Sequence, residues 1–355
     1  MTLSVICPIY NEEKYISQFL DSLLQQDYLK AAIEREQNDA RIDSAEREQT
    51  RPKAKDDLEI LLVDGMSKDK TRDIVAGYTA KYPFIRLIDN PDKIVPYAMN
   101  RGIEAAKGDV IMRLDAHASY QPDYFSVLVN GLHRLHADNV GTVCKTDVLN
   151  KTHKTLAIRE VLGNKFGVGN STFRTGIDHE QEVETVPFGC WPKEVFEKYG
   201  RYDVRLVRNQ DIELNKRILR GGGKIYILPD TYCTYLARET WKALAKNNYG
   251  NGKWNILTVY YTKTFSSLSL RHFIPLLFLL SLIVPLFLAF IWWPFALVSA
   301  ASLLAYTALL SAVSAKLAVQ KHLNFCYLLV TFFVLHLSYG WGSLVGILKL
   351  PITKR

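Results

Sequence analysis

From Phe273 to Ala315 the chain runs for 43 consecutive residues without Asp, Glu, Lys or Arg, and no acidic residue occurs from 273 to 355. An α-helix rises about 1.5 Å per residue and crosses a hydrocarbon core of about 30 Å in roughly 20 residues. The run therefore holds two crossings. Their break falls at Trp292, Trp293 and Pro294, where indoles suit an interface and proline suits a turn. A polar connector, Lys316 to Asn324, precedes a third apolar run from Phe325 to Leu348. An ordinary soluble enzyme does not carry such a tail, and the plain alternative, a buried four-helix core, is disfavoured because uncharged runs of this length are uncommon in water.

The tail also explains the charge. The formal net charge is +8, but Lys316, Lys321, Lys349, Lys354 and Arg355 lie in the last 83 residues, leaving 39 bases against 36 acids in residues 1–272. A near-neutral front part has no basic stripe for nucleic acid. An apolar content of 48% excludes intrinsic disorder. Cys7, Cys144, Cys190, Cys233 and Cys326 are widely spaced, with no CxxC, and read as buried reduced thiols. Met1 to Glu13 has neither a basic n-region nor an apolar h-region, so residues 1–272 are expected to stay in the cytosol. The connector lysines then lie inside, as the positive-inside rule prefers, whereas three full crossings put Lys349, Lys354 and Arg355 outside. Either the rule is broken there or the third segment is re-entrant or interfacial.

The front part alternates strand-like and helix-like periods. Leu3–Ile9 and Leu58–Val63 are buried-strand runs, and Ile16, Phe19, Leu20, Leu23 and Leu24 recur at helical spacing. Ser67 and Asp69 are capping candidates before a helix through Ile74, Val75 and Tyr78. Ile85–Ile88, a helix around Ala98–Ala106 and the strand Val110–Leu114 continue the pattern, which implies an α/β fold with a mostly parallel sheet covered on both faces. Residues 30–57, with eight acids, seven bases and almost no apolar periodicity, read as a charged insertion: a surface excursion or a partner-docking arm.

Ligands of such sheets bind beyond the carboxyl ends of the strands. There the chain places Pro8-Ile9-Tyr10-Asn11-Glu12-Glu13, then Asp64-Gly65-Met66-Ser67, then Asp115-Ala116-His117. Carboxylates at such positions accept hydrogen bonds from a base edge or ribose, and an Asp and a His two residues apart converge on a divalent ion. Each alone is weak, since an Asp after a strand is most often a turn or cap. Gln210-Asp211 precedes a helix carrying Ile212, Leu214, Ile218 and Leu219, and Asp211 on its own reads as an N-cap.

In order, CPIYNEE (7–13), VDGMSKDKT (63–71), NRGIEAAKGDVIMRLDAHA (100–118), VPFGCWPKEVFEKYGRYDVRLVRNQDIELN (186–215) and RETWKALAKNNYGNGKW (238–254) resemble family 2 glycosyltransferases. The closest likeness is to the membrane-attached bacterial exopolysaccharide branch of succinoglycan type. The resemblance implies a GT-A nucleotide-diphospho-sugar transferase domain over 1–235, an interfacial or acceptor-side segment over 236–272, about three transmembrane segments over 273–348 and a basic tail over 349–355. It places Pro8, Tyr10, Glu12, Asp64 and Asp115 at the nucleotide sugar. Asp115 and His117 are implied to hold a divalent cation, Mn²⁺ or Mg²⁺. His117 stands where many members have a second Asp, and it reads equally as a diphosphate hydrogen-bond donor. Gly65 stands where many relatives have Asp.

Asp211 is implied to be the base that takes the acceptor hydroxyl's proton in an inverting transfer, with Gln210, Arg238, Trp241, Lys253 and Trp254 on the acceptor side or at the membrane interface. The missing Gln before Lys253-Trp254 favours addition of one sugar over processive polymerisation. The implied reaction moves a hexose from a UDP-linked donor to a lipid-linked saccharide, in an integral protein of a bacterial cell membrane with its catalytic domain cytosolic, alongside polysaccharide-assembly partners. Transfer to a polyprenyl phosphate and a non-catalytic membrane scaffold are the alternatives. His336, inside the third apolar run, reads as a functional group at membrane depth or as a hydrogen-bonded packing residue.

Overall fold

The computed structural model describes residues 2–30 and 58–350. Most of the charged insertion, with Lys354 and Arg355, lies outside the described residues. The elements are β1 (Leu3–Ile9), α1 (Ile16–Leu23), β2 (Leu58–Asp64), α2 (Thr71–Lys81), β3 (Ile85–Asp89), α3 (Val95–Ala105), β4 (Val110–Arg113), β5 (Ala118–Tyr120), α4 (Tyr124–Arg134), β6 (Asn139–Asp147), α5 (His153–Leu162), β7 (Gln181–Glu182), β8 (Cys190–Pro192), α6 (Gln210–Arg220), β9 (Ile225–Leu236), α7 (Trp241–Thr262), α8 (Ile274–Leu288), α9 (Phe295–Lys321) and α10 (Phe325–Lys349).

The chain divides into two compact units. The first comprises Met1–Lys145 and Gly176–Tyr235, and the second Thr146–Thr175 and Leu236–Arg355. In the first unit the sheet order is β3-β2-β1-β4-β8-β6-β9-β5, with β7 on β9. Only half of it is parallel, namely β3, β2, β1 and β4. Beyond β4 the pairing of β8 is antiparallel, as is that of β5 and β7 on β9. The expected mostly parallel sheet is thus corrected to a mixed one: helices still separate most of the strands after Asp115, but the pairs those strands make are antiparallel. The register aligns Ile9 with Asp64 and Asp64 with Asp89, and Ile6 with Arg113. The carboxyl ends of four strands therefore share one edge. Burial is complete along β2, which fits a strand covered on both faces.

The second unit is helical. Residues 146–175, which the sequence reading assigns to the transferase region, group instead with 236–355 because Ala157 and Val161 of α5 pack with Leu310, Leu317, Leu328, Phe332 and Leu335. Three segments are long and apolar enough to cross a membrane: Leu270–Leu288, Phe295–Lys321 and Phe325–Lys349. The turn at 289–294 falls where the tryptophans and Pro294 place it. The connector is shorter than expected, because α9 continues to Lys321 and His322 then turns the chain in the left-handed region, with Asn324 capping α10. Cys326 is exposed, which corrects its reading as a buried thiol, while the other four cysteines are buried.

Candidate active site

The loops after β1 and β2 are laced together. Asn11 N–H donates to Ser67 Oγ at 2.8 Å, Glu12 N–H to Thr71 Oγ1 at 2.7 Å, and Lys68 N–H to Asn11 Oδ1 at 2.9 Å. Asp64, fully buried, accepts from Ser67 Oγ at 2.5 Å and from Arg72 Nη1 at 2.6 Å, and Arg72 also meets Asp89 at 2.8 Å. Hydrogen bonds from Asp64 and then Asp89 hold the Arg72 guanidinium above its ordinary pKa. Ser67 therefore braces Asp64 and is not a helix cap; the N-cap is Lys70, without a side-chain cap, and Asp69 just before it accepts from Thr71 N–H at 3.1 Å and from Thr71 Oγ1 at 2.6 Å, which corrects both capping expectations. A Cβ at Gly65 would lie 3.1 Å from the Tyr10 ring and 3.4 Å from the Lys93 carbonyl oxygen, so a side chain there requires the half-exposed Tyr10 ring to move slightly.

After β4 the chain turns tightly. Asp115 N–H donates to Tyr120 Oη at 2.7 Å, and His117 N–H donates to Asp115 Oδ1 at 2.9 Å. His117 Nε2 lies 2.9 Å from Glu12 Oε1, and its ring meets the Tyr15 ring edge-on at 4.9 Å. The structure thus joins Glu12, Asp115 and His117, three residues that the sequence read on two separate loops. Tyr10 is half exposed beside them and Pro8 sits inside β1.

Asp211 occupies the first turn of α6, where the helix dipole favours a carboxylate. Asn209, in the left-handed conformation that Asn tolerates, starts the helix without a side-chain cap, so the isolated N-cap reading of Asp211 is corrected by two residues. Asn215, one turn on, accepts from Asn139 Nδ2 at 2.8 Å and donates to Thr185 Oγ1 at 2.8 Å, which ties α6 to β6. Arg113 Nη1, from the end of β4, donates to Asp211 Oδ1. Burial alone would depress the Arg113 guanidinium, but the Asp211 carboxylate, with Tyr202 and Asp115 nearby, carries it above its ordinary value. Gln210 is buried and its Oε1 has no hydrogen-bond partner.

Asn11, Met66, Phe188 and Asn209 all have left-handed φ, between 56° and 63°, and each adjoins one of these loops. A non-glycine residue held there costs about 1–3 kcal/mol, and such residues gather at functional sites. No sequence pattern announces them.

The description "Glycosyl transferase family 2" matches residues 4–200. The chain belongs to glycosyltransferase family 2. It is similar to a dolichyl N-acetyl-alpha-D-glucosaminyl phosphate 3-beta-D-2,3-diacetamido-2,3-dideoxy-beta-D-glucuronosyltransferase of Methanococcus voltae, 28% identical over 82% of this chain and 84% of that protein. It is 30% identical to the succinoglycan biosynthesis protein ExoA of Rhizobium meliloti (strain 1021), over 55% of this chain and 58% of ExoA. In fold it is similar to the mannosyltransferase PcManGT from Pyrobaculum calidifontis, solved with GDP-Man and Mn²⁺, with a TM-score of 0.54 and 17% identity over 96% of this chain and 87% of that one. The chain is thus a glycosyltransferase with a GT-A-like mixed α/β domain.

Among the described residues of this family 2 enzyme, no group of three or more His, Cys, Asp or Glu stands together as a self-sufficient metal set. The donors that are present fit a cation shared with substrate, since hard divalent ions are often held by one or two carboxylates plus phosphate oxygens and water. Glu12 Oε2 is buried without a hydrogen-bond partner while Oε1 meets His117 Nε2, which leaves an orphaned acceptor next to the histidine.

The remaining expected residues, Arg238, Trp241, Lys253 and Trp254, belong to the second unit, and Asp211 belongs to the first. Trp241 Nε1 donates to Thr331 Oγ1 at 3.0 Å and its ring packs on Tyr327, so this indole serves the α7–α10 contact. The Trp254 ring stacks near Tyr261. His336 Nδ1 lies 2.7 Å from Tyr306 Oη, a hydrogen-bonded packing position. Arg72, Arg113 and Tyr202 escaped the sequence reading. Arg113 had one signal, a charge ending the apolar strand VIMR immediately before Leu114-Asp115.

Proposed function

We propose that this family 2 glycosyltransferase moves a hexose, with inversion, from a nucleotide-diphospho-sugar, UDP-linked, to a lipid-linked saccharide at the cytosolic face of a membrane. The observation that carries the reading is Asp211, fixed at the start of α6 with Oδ1 on Arg113. Its Oδ2 is the atom that takes the acceptor hydroxyl's proton as that oxygen bonds to the anomeric carbon and the carbon–diphosphate bond breaks. Pro8, Tyr10, Glu12 and Asp64 line the nucleotide side. Asp115 and His117 are the residues that would hold a divalent cation, whose charge would offset that of the departing diphosphate. Gln210 and the α7 residues Lys253 and Trp254, with Arg238, serve the acceptor side.

The M. voltae relative, named for transfer to a sugar on dolichyl phosphate, supports a saccharide acceptor. Relatives named dolichyl-phosphate beta-glucosyltransferase, such as one from Trichomonas vaginalis at 30% identity over 45% of this chain, support the alternative of a polyprenyl phosphate acceptor. The test is nucleotide release from UDP- and GDP-sugars in the presence of membrane lipid extract. Release that requires the extract, stops with EDTA and returns with Mn²⁺ or Mg²⁺ is expected. Full activity in EDTA overturns the cation assignment, and binding of no nucleotide sugar leaves the scaffold reading ahead.

The tail's topology follows from how α10 packs within its unit. α8 and α9 form a hairpin, with Ser281 on Ser302 and Ser299 on the Leu282 carbonyl. Among the described residues, α10 meets α8 at Pro275 and Leu279, near the start of α8, and packs with Tyr306, Leu310 and Leu317 of α9. It therefore lies at the end of the hairpin opposite Trp292–Pro294. From Thr331 to Gly346 it is accompanied by α7, whose three lysines and four asparagines do not enter hydrocarbon. On this reading α8 and α9 cross and α10 lies at the cytosolic interface, so Lys349 stays inside with Lys321. In a Cys326→Ser background, Lys349→Cys and Lys321→Cys are expected to react with an impermeant maleimide from the same side of sealed vesicles. Labelling from opposite sides refutes the two-crossing arrangement.

A further inference from the structure

We infer that Arg113 is a positioning residue that acts through Asp211, an inference that rests on the reading of Asp211 as the base. The side chain of Arg113 is 7% exposed and that of Asp211 30%, so the pair has a buried cationic end and a carboxylate end that reaches solvent. Arg113 is anchored from behind, because β4 is paired on both sides and Arg113 N–H donates to the Gly189 carbonyl at 3.0 Å. Asp211 is anchored from the other direction by α6, through Asn215 on Asn139 and through Arg217, which donates to the Tyr199 and Arg201 carbonyls. The guanidinium is thus a fixed post between two rigid elements.

Its contact with Oδ1 takes up one carboxylate oxygen, and the Tyr202 hydroxyl lies beside the same pair. On the base assignment, Oδ2 is the oxygen that accepts the proton. A carboxylate without this tether swings about its χ angles, and a misplacement of about 1 Å costs on the order of 10²-fold in rate.

The test is a double-mutant cycle of Arg113→Met and Asp211→Asn in the full-length enzyme, with kcat, donor affinity and thermal midpoint measured for each member. Arg113→Met is expected to lower kcat by about 10²-fold with donor affinity unchanged. Arg113→Lys, which keeps the charge and loses the fixed geometry, is expected to recover part of that loss. In the Asp211→Asn background, Arg113→Met is expected to leave kcat unaltered and to raise the thermal midpoint, because it removes a buried cation that keeps an amide acceptor but has lost its counter-charge. Losses in kcat that multiply across the cycle, weakened donor binding, or a lowered midpoint with normal kcat each overturn the inference. Near-normal turnover of Asp211→Asn alone is a different result, which removes the base assignment itself.

Discussion

Asp211→Asn is expected to lower turnover by about 10²-fold or more while nucleotide-sugar affinity is retained, because the amide keeps the shape of the side chain and loses the proton acceptor. The proposed donor-side residues Tyr10, Glu12 and Asp64 lie at the end of β2 and in the loop after β1, away from α6 in sequence, so substrate binding is a separable measurement. The substitution also reaches stability. Breaking a buried pair by removing one partner costs about 3–5 kcal/mol, and the lower end applies because Asn still offers Arg113 an amide oxygen and Asp211 is partly solvated. Turnover is therefore normalised to donor-binding sites. Near-normal turnover per site would sink the base assignment and favour a phosphate acceptor, which has no hydroxyl proton to remove.

The parallel half of the sheet was legible because β1, β2 and β4 are mostly apolar and buried throughout or nearly so, with polar interruptions as few as Ser4 and Glu59, as burial on both faces demands. Leu3–Ile9 coincides with β1, and the Leu58–Val63 reading falls one residue short of β2. The antiparallel half was not legible. β5 and β8 are three residues long and β7 is two, too short for any period to register. The same limit hid the true partner of residues 146–175. The alternation of buried positions in α5 declares a packed face, but the surface it meets, on α9 and α10, lies about 150 residues further along the chain.

At the site, the carboxylates were legible as strand-end residues. What joins them was not, since His117 on Glu12 and Arg113 on Asp211 are contacts across the fold, between residues 98 or more positions apart. The four left-handed residues at the loops also carry no sequence mark, Met66 and Phe188 least of all.

Gly252→Leu is expected to abolish recovery of folded, monodisperse enzyme, and Gly252→Ala to lower its thermal midpoint by several degrees. α7 and α10 run parallel and approach so closely that a Cβ on Gly252 would lie 1.9 Å from the Tyr339 carbonyl oxygen, and one on Gly342 would lie 2.0 Å from that of Tyr249. The obstructing atoms are backbone, so no side-chain rotation relieves the clash and the helices must part. Parting them also strains Ser343 Oγ on the Gly252 carbonyl, Asn255 on Tyr339 Oη, and Trp241 on Thr331. Small residues are what allow such approach where apolar surroundings give no hydrophobic drive to helix pairing. Overpacking costs about 1–3 kcal/mol for modest insertions, which sets the scale for Ala, and Leu adds three further carbons at the same point. Gly77 is the internal control. It lies within α2 with nothing within 4 Å of its Cβ position, so Gly77→Ala is expected to stabilise the enzyme by about 0.5–1 kcal/mol through helix propensity. If Gly252→Ala behaves like Gly77→Ala, then α7 and α10 are not in close backbone contact, and the interfacial placement of α10 falls with that contact.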